Sequence, residues 1–328
     1  MSKEKTIETK PHSSRKFDTG KIDFLGKAKY LVPLSVITIV VGMFSLAYRG
    51  LNYGIDFSGG TEFQVQYQKP TSDDVLREIL NKAGYEKSSV QTFGENNEFL
   101  VRVQSLVGKS DQETNEMQNA MTKKISEALR TQVVGNTAEI RRVDSVGPQV
   151  GDELKRNSLL ATFYSMFIIL IYIGLRFDYK YAPGAVFCLI HDAVVTISIY
   201  SIFGREVNVQ TMASILTLLG YSMNDTIITF DRVRENEKIF AGESFYDIVN
   251  RSVNDMLVRT ILTAFTTELA VVGLFLFSDG AIHQIAFTML VGIVIGTYSS
   301  VYIAAPLVIM IDRFEHRRAQ AKLRMAKA

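Results

Sequence analysis

The sequence predicts an α-helical polytopic membrane protein with six transmembrane helices and an α+β domain outside the membrane. Three observations predict this fold class: long apolar runs, one long polar stretch after the first run, and an uneven distribution of lysine and arginine. Of the 328 residues, 47% are hydrophobic. They are concentrated in runs, unlike the even mixture typical of soluble globular domains.

Six stretches are long and apolar enough to cross a bilayer, for which an α-helix needs about 20 residues. They are residues 30–48, 158–175, 181–203, 212–230, 257–277 and 285–311. A polar stretch precedes the first run and no small-residue cleavage site follows it, so we expect an uncleaved anchor. The predicted regions are a tail at 1–29, a first span at 30–48, a domain at 49–157, the remaining spans within 158–311 and a basic tail at 312–328.

Lysine and arginine predict the orientation, because short cytoplasmic loops carry an excess of both residues. Both terminal tails are rich in them, as are the connections between the second and third runs and between the fourth and fifth runs. The short loops on the opposite side contain only Arg205. We therefore expect both termini in the cytoplasm and residues 49–157 outside.

The outer segment predicts a small domain with the order β-α-β-β-α-β, which is typical of a ferredoxin-like sandwich. We predict strands at 62–67, 89–93, 99–103 and 138–143, and helices at 72–83 and 111–131. The joints to the membrane are glycine-rich, with Gly54, Gly59 and Gly60 before the domain and Gly147 and Gly151 after it. Glycine at these positions permits hinge motion, although simple loop flexibility explains the same residues.

Charge and motif content argue against several classes of function. A net charge of +2 is too small to indicate nucleic-acid binding, and the single cysteine, Cys188, excludes an intrachain disulfide. The sequence has no G-x-x-x-x-G-K-[ST] loop, no H-E-x-x-H and no G-x-S-x-G. We therefore expect no enzymatic activity, no metal and no organic cofactor.

A series of motifs occurs in order along the chain. They are GIDFSGGT at 54–61, SVGPQVGDEL at 145–154, LRFDYKYAPGAV at 175–186 followed by His191-Asp192, LGYSMNDTIITFDRVREN at 219–236, RTILTAFTT at 259–267 and GTYSS at 296–300. Together they resemble the SecF proteins, a family within the resistance-nodulation-division (RND) superfamily. The resemblance extends from residue 52 to residue 306.

This resemblance implies a partner, SecD, with which such a chain forms a pseudo-symmetric pair of six-helix halves. It also implies association with the SecYEG channel, often with YajC, in the cytoplasmic membrane of a bacterium. The proton motive force would then help to move a secreted preprotein to the outer side. Two alternatives stay open: a scaffold subunit that does not couple to protons, and half of an RND-type exporter of solutes or lipids.

Asp225 and Arg259 are the leading candidates for a proton-coupling site. An aspartate within a span costs about 2.5–3.5 kcal/mol on insertion scales, so it must face protein or water. A nearby guanidinium favours the ionised carboxylate whereas burial favours the protonated form, so a change in their separation would bind or release a proton. The resemblance assigns both positions to the charged pair needed for proton-coupled work, and we include Asn224 in the relay. A static ion pair that fixes helix register is the competing interpretation.

Three more ionisable residues lie near the centres of spans. His191 and Asp192 are candidates for the proton relay because histidine titrates near neutrality, but hydrogen bonds between packed helices explain them equally well. Glu268 stands where we expect an apolar residue in the family. It either adds a titrating group to the relay or pairs with a partner helix.

Two further patterns concern packing. Gly292, Gly296 and Ser300 recur at four-residue intervals, which predicts a helix contact face in the sixth span. Apolar residues between 245 and 257 predict an amphipathic helix at the membrane surface, or alternatively an ordinary buried face.

Overall fold

The structure is a computed structural model that describes residues 22–327 except 87, 93–96, 106, 107, 109, 132 and 134. Most of the predicted N-terminal tail and the end of the strand predicted at 89–93 lie outside the described residues. The first half of the chain contains α1 (Phe24–Arg49), β1 (Asn52–Tyr53), α2 (Ile55–Ser58), β2 (Gly60–Tyr67), α3 (Asp73–Lys82), β3 (Ser89–Thr92), β4 (Glu98–Val103), α4 (Asp111–Thr131) and β5 (Ala138–Val146). The second half contains α5 (Pro148–Arg176), α6 (Ala182–Ile202), β6 (Glu206–Val207), α7 (Val209–Ile239), α8 (Phe245–Phe277), α9 (Gly280–Ser299), a π-helical turn (Ser300–Ala304) and α10 (Ala305–Lys327).

Residues 60–146, which we call the sheet domain, form an antiparallel sheet in the order β3-β4-β2-β5. Alternation along β2 places Phe63, Val65 and Tyr67 in the core beneath α3 and α4, because successive side chains of a strand point to opposite faces. The Tyr67 hydroxyl donates to the Leu129 carbonyl oxygen at 2.9 Å. Burial raises the pKa of this hydroxyl. The opposite face of the sheet carries polar side chains, among them Gln64 and Arg102.

A short parallel strand pair joins the base of the sheet domain to the helical bundle. β1 pairs with β6, which immediately precedes α7, so Asn52 lies opposite Glu206 and Tyr53 opposite Val207. The backbone N–H of Gly54 continues this pairing by donating to the Val207 carbonyl oxygen at 3.0 Å. The chain is therefore tied to the bundle before it enters the sheet.

Several joint glycines are required by close packing or by backbone conformation. Gly59 and Gly60 have φ values of 69° and 139°, which side chains rarely allow. A Cβ atom on Gly60 would lie 2.7 Å from the Val103 carbonyl oxygen, and one on Gly151 would lie 3.1 Å from the Gly59 nitrogen. Only Gly147 of these four has open space around the Cβ position. The joint is thus packed in this state, and hinge motion about it stays a prediction.

Among the described residues, five helices are long and apolar enough to cross a membrane. They are α1, α5, α6, α8 and the continuous helix from α9 through the π-helical turn into α10. The fourth predicted span, 212–230, lies within α7, which packs against α5, α6, α8 and α9. Polar residues, including Asn224 and Asp225, lower the mean hydropathy of α7 and distinguish it from these five helices.

Of the two interpretations of residues 245–257, an amphipathic helix at the membrane surface or an ordinary buried face, the structure favours the buried face. These residues form the first turns of α8, which runs without a break to Phe277. Ser244 caps this helix by accepting a hydrogen bond from the Asp247 N–H at 3.2 Å. No glycine or proline interrupts this stretch, so the helix is continuous. Its apolar face packs against the bundle, and Ile248 and Val249 are buried in the main core.

Glycines on α9 permit a close approach to α7. A Cβ atom on Gly292 would lie 2.3 Å from a methyl carbon of Leu218, and one on Gly296 would lie 2.8 Å from the Ser222 Cβ. Ser300 is buried in the π-helical turn, where its hydroxyl donates to the Thr297 carbonyl oxygen at 3.0 Å. The close approach at Gly296 places Ser222 of α7 directly against α9.

Candidate functional site

Asp225 lies on the buried side of α7 and is only 5% exposed. Its Oδ2 atom is enclosed and has no hydrogen-bond partner among the described residues. Ser222 and Thr229, one turn to either side, are also buried and continue a polar stripe along this helix. An enclosed carboxylate oxygen without a partner is costly to hold in a folded chain, which points to a functional reason for keeping it.

Arg259 lies on α8, the helix that packs against α7. Within the described part of the chain, the two side chains form no ion pair at 4.0 Å or less. Arg259 and Asn224 are both exposed at the surface of this single chain. The predicted pair thus lies on adjacent helices without direct contact, and Arg259 and Asn224 are open to a partner or to water.

Glu268 lies further along α8 and is partly buried. Its Oε2 atom is enclosed and, like Oδ2 of Asp225, has no hydrogen-bond partner among the residues that the structure describes. Next to Glu268, the Thr267 hydroxyl lies 3.5 Å from the Tyr221 hydroxyl of α7. Two adjacent helices therefore each enclose one unpartnered carboxylate oxygen.

Asp192 is the centre of a buried hydrogen-bond network. Its Oδ1 atom lies 2.9 Å from Nδ1 of His191, and its Oδ2 atom accepts from the Ser299 hydroxyl at 2.9 Å. The Ser222 hydroxyl also donates to Oδ2 in a short contact, and the Cys188 thiol lies 4.0 Å away. Asp192 is fully buried, so this carboxylate connects α6 with α7 and α9 in the interior of the bundle.

The Asp192 network reaches the helix that carries Asp225. Ser222 hydrogen-bonds Asp192 and precedes Asp225 by about one turn of α7. On the other side of the network, Nε2 of His191 is enclosed and unpartnered among the described residues. Sequence reasoning identified His191 and Asp192 but missed their contacts with Ser222 and Ser299. Both serines lie within motifs of the sequence, at 219–236 and 296–300, but neither motif indicates Asp192 as their partner.

Ion pairs fix the end of α7 that follows Asp225. Arg176, at the end of α5, contacts Asp231 at 2.6 Å. Arg232 contacts Asp255 of α8 through two nitrogens, at 2.8 and 2.5 Å. Both nitrogens donate to the same oxygen, Oδ2 of Asp255, and this charged contact holds this end of α7 to α8.

The fold and the site together define a multi-pass membrane protein whose helical bundle encloses carboxylates and whose sheet domain is joined to that bundle. Residues 124–313 match the family model of the protein export membrane protein SecD/SecF, C-terminal, and residues 44–71 match the SecD/SecF GG motif. The chain belongs to the SecD/SecF family of protein export membrane proteins. This confirms the resemblance inferred from the motifs.

Relatives in this family match the chain over nearly its full length. The protein translocase subunit SecF of Calditerrivibrio nitroreducens is 40% identical, over 90% of this chain and 96% of the relative. The protein translocase subunit SecF of Escherichia coli O157:H7 is 32% identical, over 98% of this chain and 96% of the relative.

Solved structures of SecDF have a similar fold. SecDF from Thermus thermophilus, described as a translocon-associated membrane protein, matches with a TM-score of 0.77 at 30% identity over 90% of this chain. SecDF in a super-membrane-facing form matches with a TM-score of 0.63 over 94% of this chain. The chain spans 39% of the first of these SecDF chains and 40% of the second.

Proposed function

We propose that the chain is a SecF-type subunit of the Sec protein-export machinery. With SecD, it uses the proton motive force to promote translocation of preproteins across the bacterial inner membrane. The names of the full-length relatives and the similarity to SecDF, a translocon-associated protein, support this function. SecYEG and YajC are the further partners we propose, and membrane lipid surrounds the bundle.

The proposed topology has six spans, with α7 as the fourth and both termini in the cytoplasm. The position of α7 among the other long helices supports this count, because a helix enclosed by neighbours tolerates polar residues that lipid would not. The order of elements and the antiparallel pairing support a ferredoxin-like fold for the sheet domain, which we place in the periplasm.

The observation that carries the proposed mechanism is the enclosed oxygen of Asp225, which has no hydrogen-bond partner among the described residues, on a helix that packs against the helix of Arg259. When a proton leaves Asp225, its carboxylate attracts Arg259, and when a proton binds, that attraction is lost. α7 and α8 then change their packing. Motion about the joint glycines carries the sheet domain and the polypeptide that it holds.

The energy available is of the required size. One charge that crosses a potential of 100 mV releases about 2.3 kcal/mol. Reversal of a two-state equilibrium from 1:99 to 99:1 needs about 5.5 kcal/mol. A cycle that uses one to three protons therefore supplies roughly the energy that such a reversal requires.

The exposed side chains of Asn224 and Arg259 support SecD as a partner at this surface. A polar or charged side chain that faces lipid within a span is costly, so a protein partner or a water-filled cavity is expected to cover it. Both residues lie beside Asp225. A partner helix there would complete the surroundings of the coupling site.

The test is Asp225→Asn, in the full chain assembled with SecD and assayed for proton-driven preprotein export in membrane vesicles. We expect assembly to persist and the proton-dependent part of export to be lost, because the amide cannot bind and release a proton. Asp231→Asn is the matched control, since Asp231 lies on the same helix but is partly exposed and paired with Arg176. Export by Asp225→Asn at the wild-type rate would refute the coupling mechanism.

The scaffold subunit remains a second candidate, favoured by the lack of direct contact between Asp225 and Arg259 in the described structure. A scaffold predicts that Asp225→Asn and Asp231→Asn both export like the wild type while SecD still co-purifies. A solute or lipid exporter predicts proton flux through the purified complex in the absence of any preprotein.

A further inference from the structure

A cleft of about 790 Å³ separates the open face of the sheet domain from the adjoining ends of the bundle helices. Side chains of the sheet, among them Gln64, Gln91 and Leu100, form its ceiling. Its floor comes from the ends of α6 and α8 and from the connections that follow them, and it includes Phe203 and Leu276. We call this space the outer cleft.

The two walls of the outer cleft differ in chemistry. On the floor, the side chains of Phe203 and Leu276 are 71% and 66% exposed, so they offer apolar surface to whatever enters. On the ceiling, Gln91 is exposed, and its side-chain amide can both donate and accept hydrogen bonds. A polypeptide in extended form fits this combination, because its backbone needs donors and acceptors whatever its sequence and its apolar side chains need an apolar surface.

The lining carries more negative than positive groups. It contains five carboxylates, Asp56, Glu62, Asp144, Glu206 and Asp279, against three arginines, Arg102, Arg142 and Arg205. Two of these arginines already pair with carboxylates of the lining, Arg102 with Glu62 and Glu206 and Arg142 with Asp144 at 2.6 Å. The third, Arg205, lies over the Phe287 ring at 4.4 Å. The excess of carboxylate disfavours the phosphate of a lipid headgroup and favours lysine or arginine.

We propose that the outer cleft binds an extended, basic segment of the exported polypeptide on its way out of the membrane. This rests on the proposed export function but not on proton coupling at Asp225. Apolar side chains of the segment lie on the floor, and the backbone bonds to ceiling amides. Basic side chains meet Asp56 and Asp279, the two lining carboxylates that have no arginine partner among the described residues. The contact between Arg102 and Glu206 spans the two walls, so tilting of the sheet domain would open the cleft and release the segment.

The proposal is tested by photocrosslinking in the assembled translocon, in membrane vesicles that hold a stalled preprotein. The probe p-benzoylphenylalanine replaces Gln91 in the ceiling or, as a control, Glu78, which is exposed on α3 across the sheet domain. The preprotein segment beyond the channel is either lysine-rich or glutamate-rich. We expect the probe at Gln91 to crosslink the lysine-rich chain several-fold more than the probe at Glu78 does, and more than it crosslinks the glutamate-rich chain.

Equal yields at the two probe positions would overturn the proposal, because they would reflect general proximity. Adducts with lipid alone at Gln91 would also overturn it, as would the absence of adducts when a crosslink to the channel proves that the preprotein is stalled. Collapse of the proton gradient separates this site from the coupling mechanism. When the gradient is collapsed, crosslinks at Gln91 are expected to persist. If Asp225→Asn loses proton-dependent export but keeps the crosslinks at Gln91, both proposals are supported. Export by that variant at the wild-type rate with crosslinks intact rejects coupling alone.

Discussion

Replacement of Asp192 by alanine removes the acceptor on which side chains of three helices converge. Ser222 on α7 and Ser299 on α9 both donate to Oδ2, and His191 lies beside Oδ1. Asp192 is fully buried, so water cannot take the place of the lost carboxylate without entering the bundle.

The size of the effect follows from which partners find a substitute. The Ser299 hydroxyl lies 3.0 Å from the Gly296 carbonyl oxygen and can donate there instead. Ser222 and His191 lose their acceptor in this network, and each buried donor left without a partner costs about 1–3 kcal/mol. With two such donors, we expect Asp192→Ala to lower the free energy of unfolding by about 2–6 kcal/mol.

Asp192→Asn is predicted to be milder. The amide oxygen, in the position of Oδ2, still accepts from Ser222 and Ser299, while the amide nitrogen, in the position of Oδ1, donates to Nδ1 of His191. We expect a loss of at most about 1 kcal/mol, the net contribution of one ordinary hydrogen bond.

The assay is thermal or denaturant unfolding of the full chain in detergent, with Thr217→Ala as the control. Thr217 is exposed on α7 and bonds only its own helix, to the Ala213 carbonyl oxygen. Unfolding of Asp192→Ala at the wild-type midpoint would refute the reasoning. If Asp192→Asn folds normally yet loses proton-dependent export, Asp192 takes part in the relay, and if it exports normally, the residue is a packing contact.

The remaining predictions concern the contact of α1 with α6 and the base of the sheet domain. A Cβ atom on Gly42 would lie 2.0 Å from the Ser198 Cβ and 3.1 Å from its Cα, so Gly42→Ala must separate the two helices and lower the unfolding midpoint. Gly220→Ala, with open space around it, is expected to leave the midpoint unchanged or raise it. Arg102→Gln leaves Glu206 buried without its charge partner, so hydrogen exchange at β1 and β6 is expected to quicken, and unchanged protection there would show that the ion pair does not hold the domain.

Apolar run length and strand alternation predicted most of the elements, because both are local properties of the sequence. The span predicted at 30–48 lies within α1, and that at 158–175 lies within α5. Both helices extend past these limits, because apolar run length does not detect the polar helical turns that flank an apolar run. The unbroken course of α8 was missed for the same reason, since its first turns are less apolar than its later ones.

The sequence could not predict contacts that join distant segments. Pairing of β1 with β6 depends on two-residue strands too short to carry an alternating pattern. The partners of Asp192 come from three helices, and only their packing selects Ser222 and Ser299 from the many hydroxyl residues of the spans. The direction in which Arg259 points depends in turn on how α8 is rotated about its axis.

The pairing of β1 with β6 has a mechanical consequence. β6 immediately precedes α7, and β1 leads into the sheet domain. The paired strands therefore connect the helix that carries Asp225 directly with the start of the sheet domain. A shift of α7 along its own axis would move β6 and its partner β1, and no other helix would be needed to transmit this movement. In the proposed mechanism, one helix and one strand pair therefore connect Asp225 with the sheet domain.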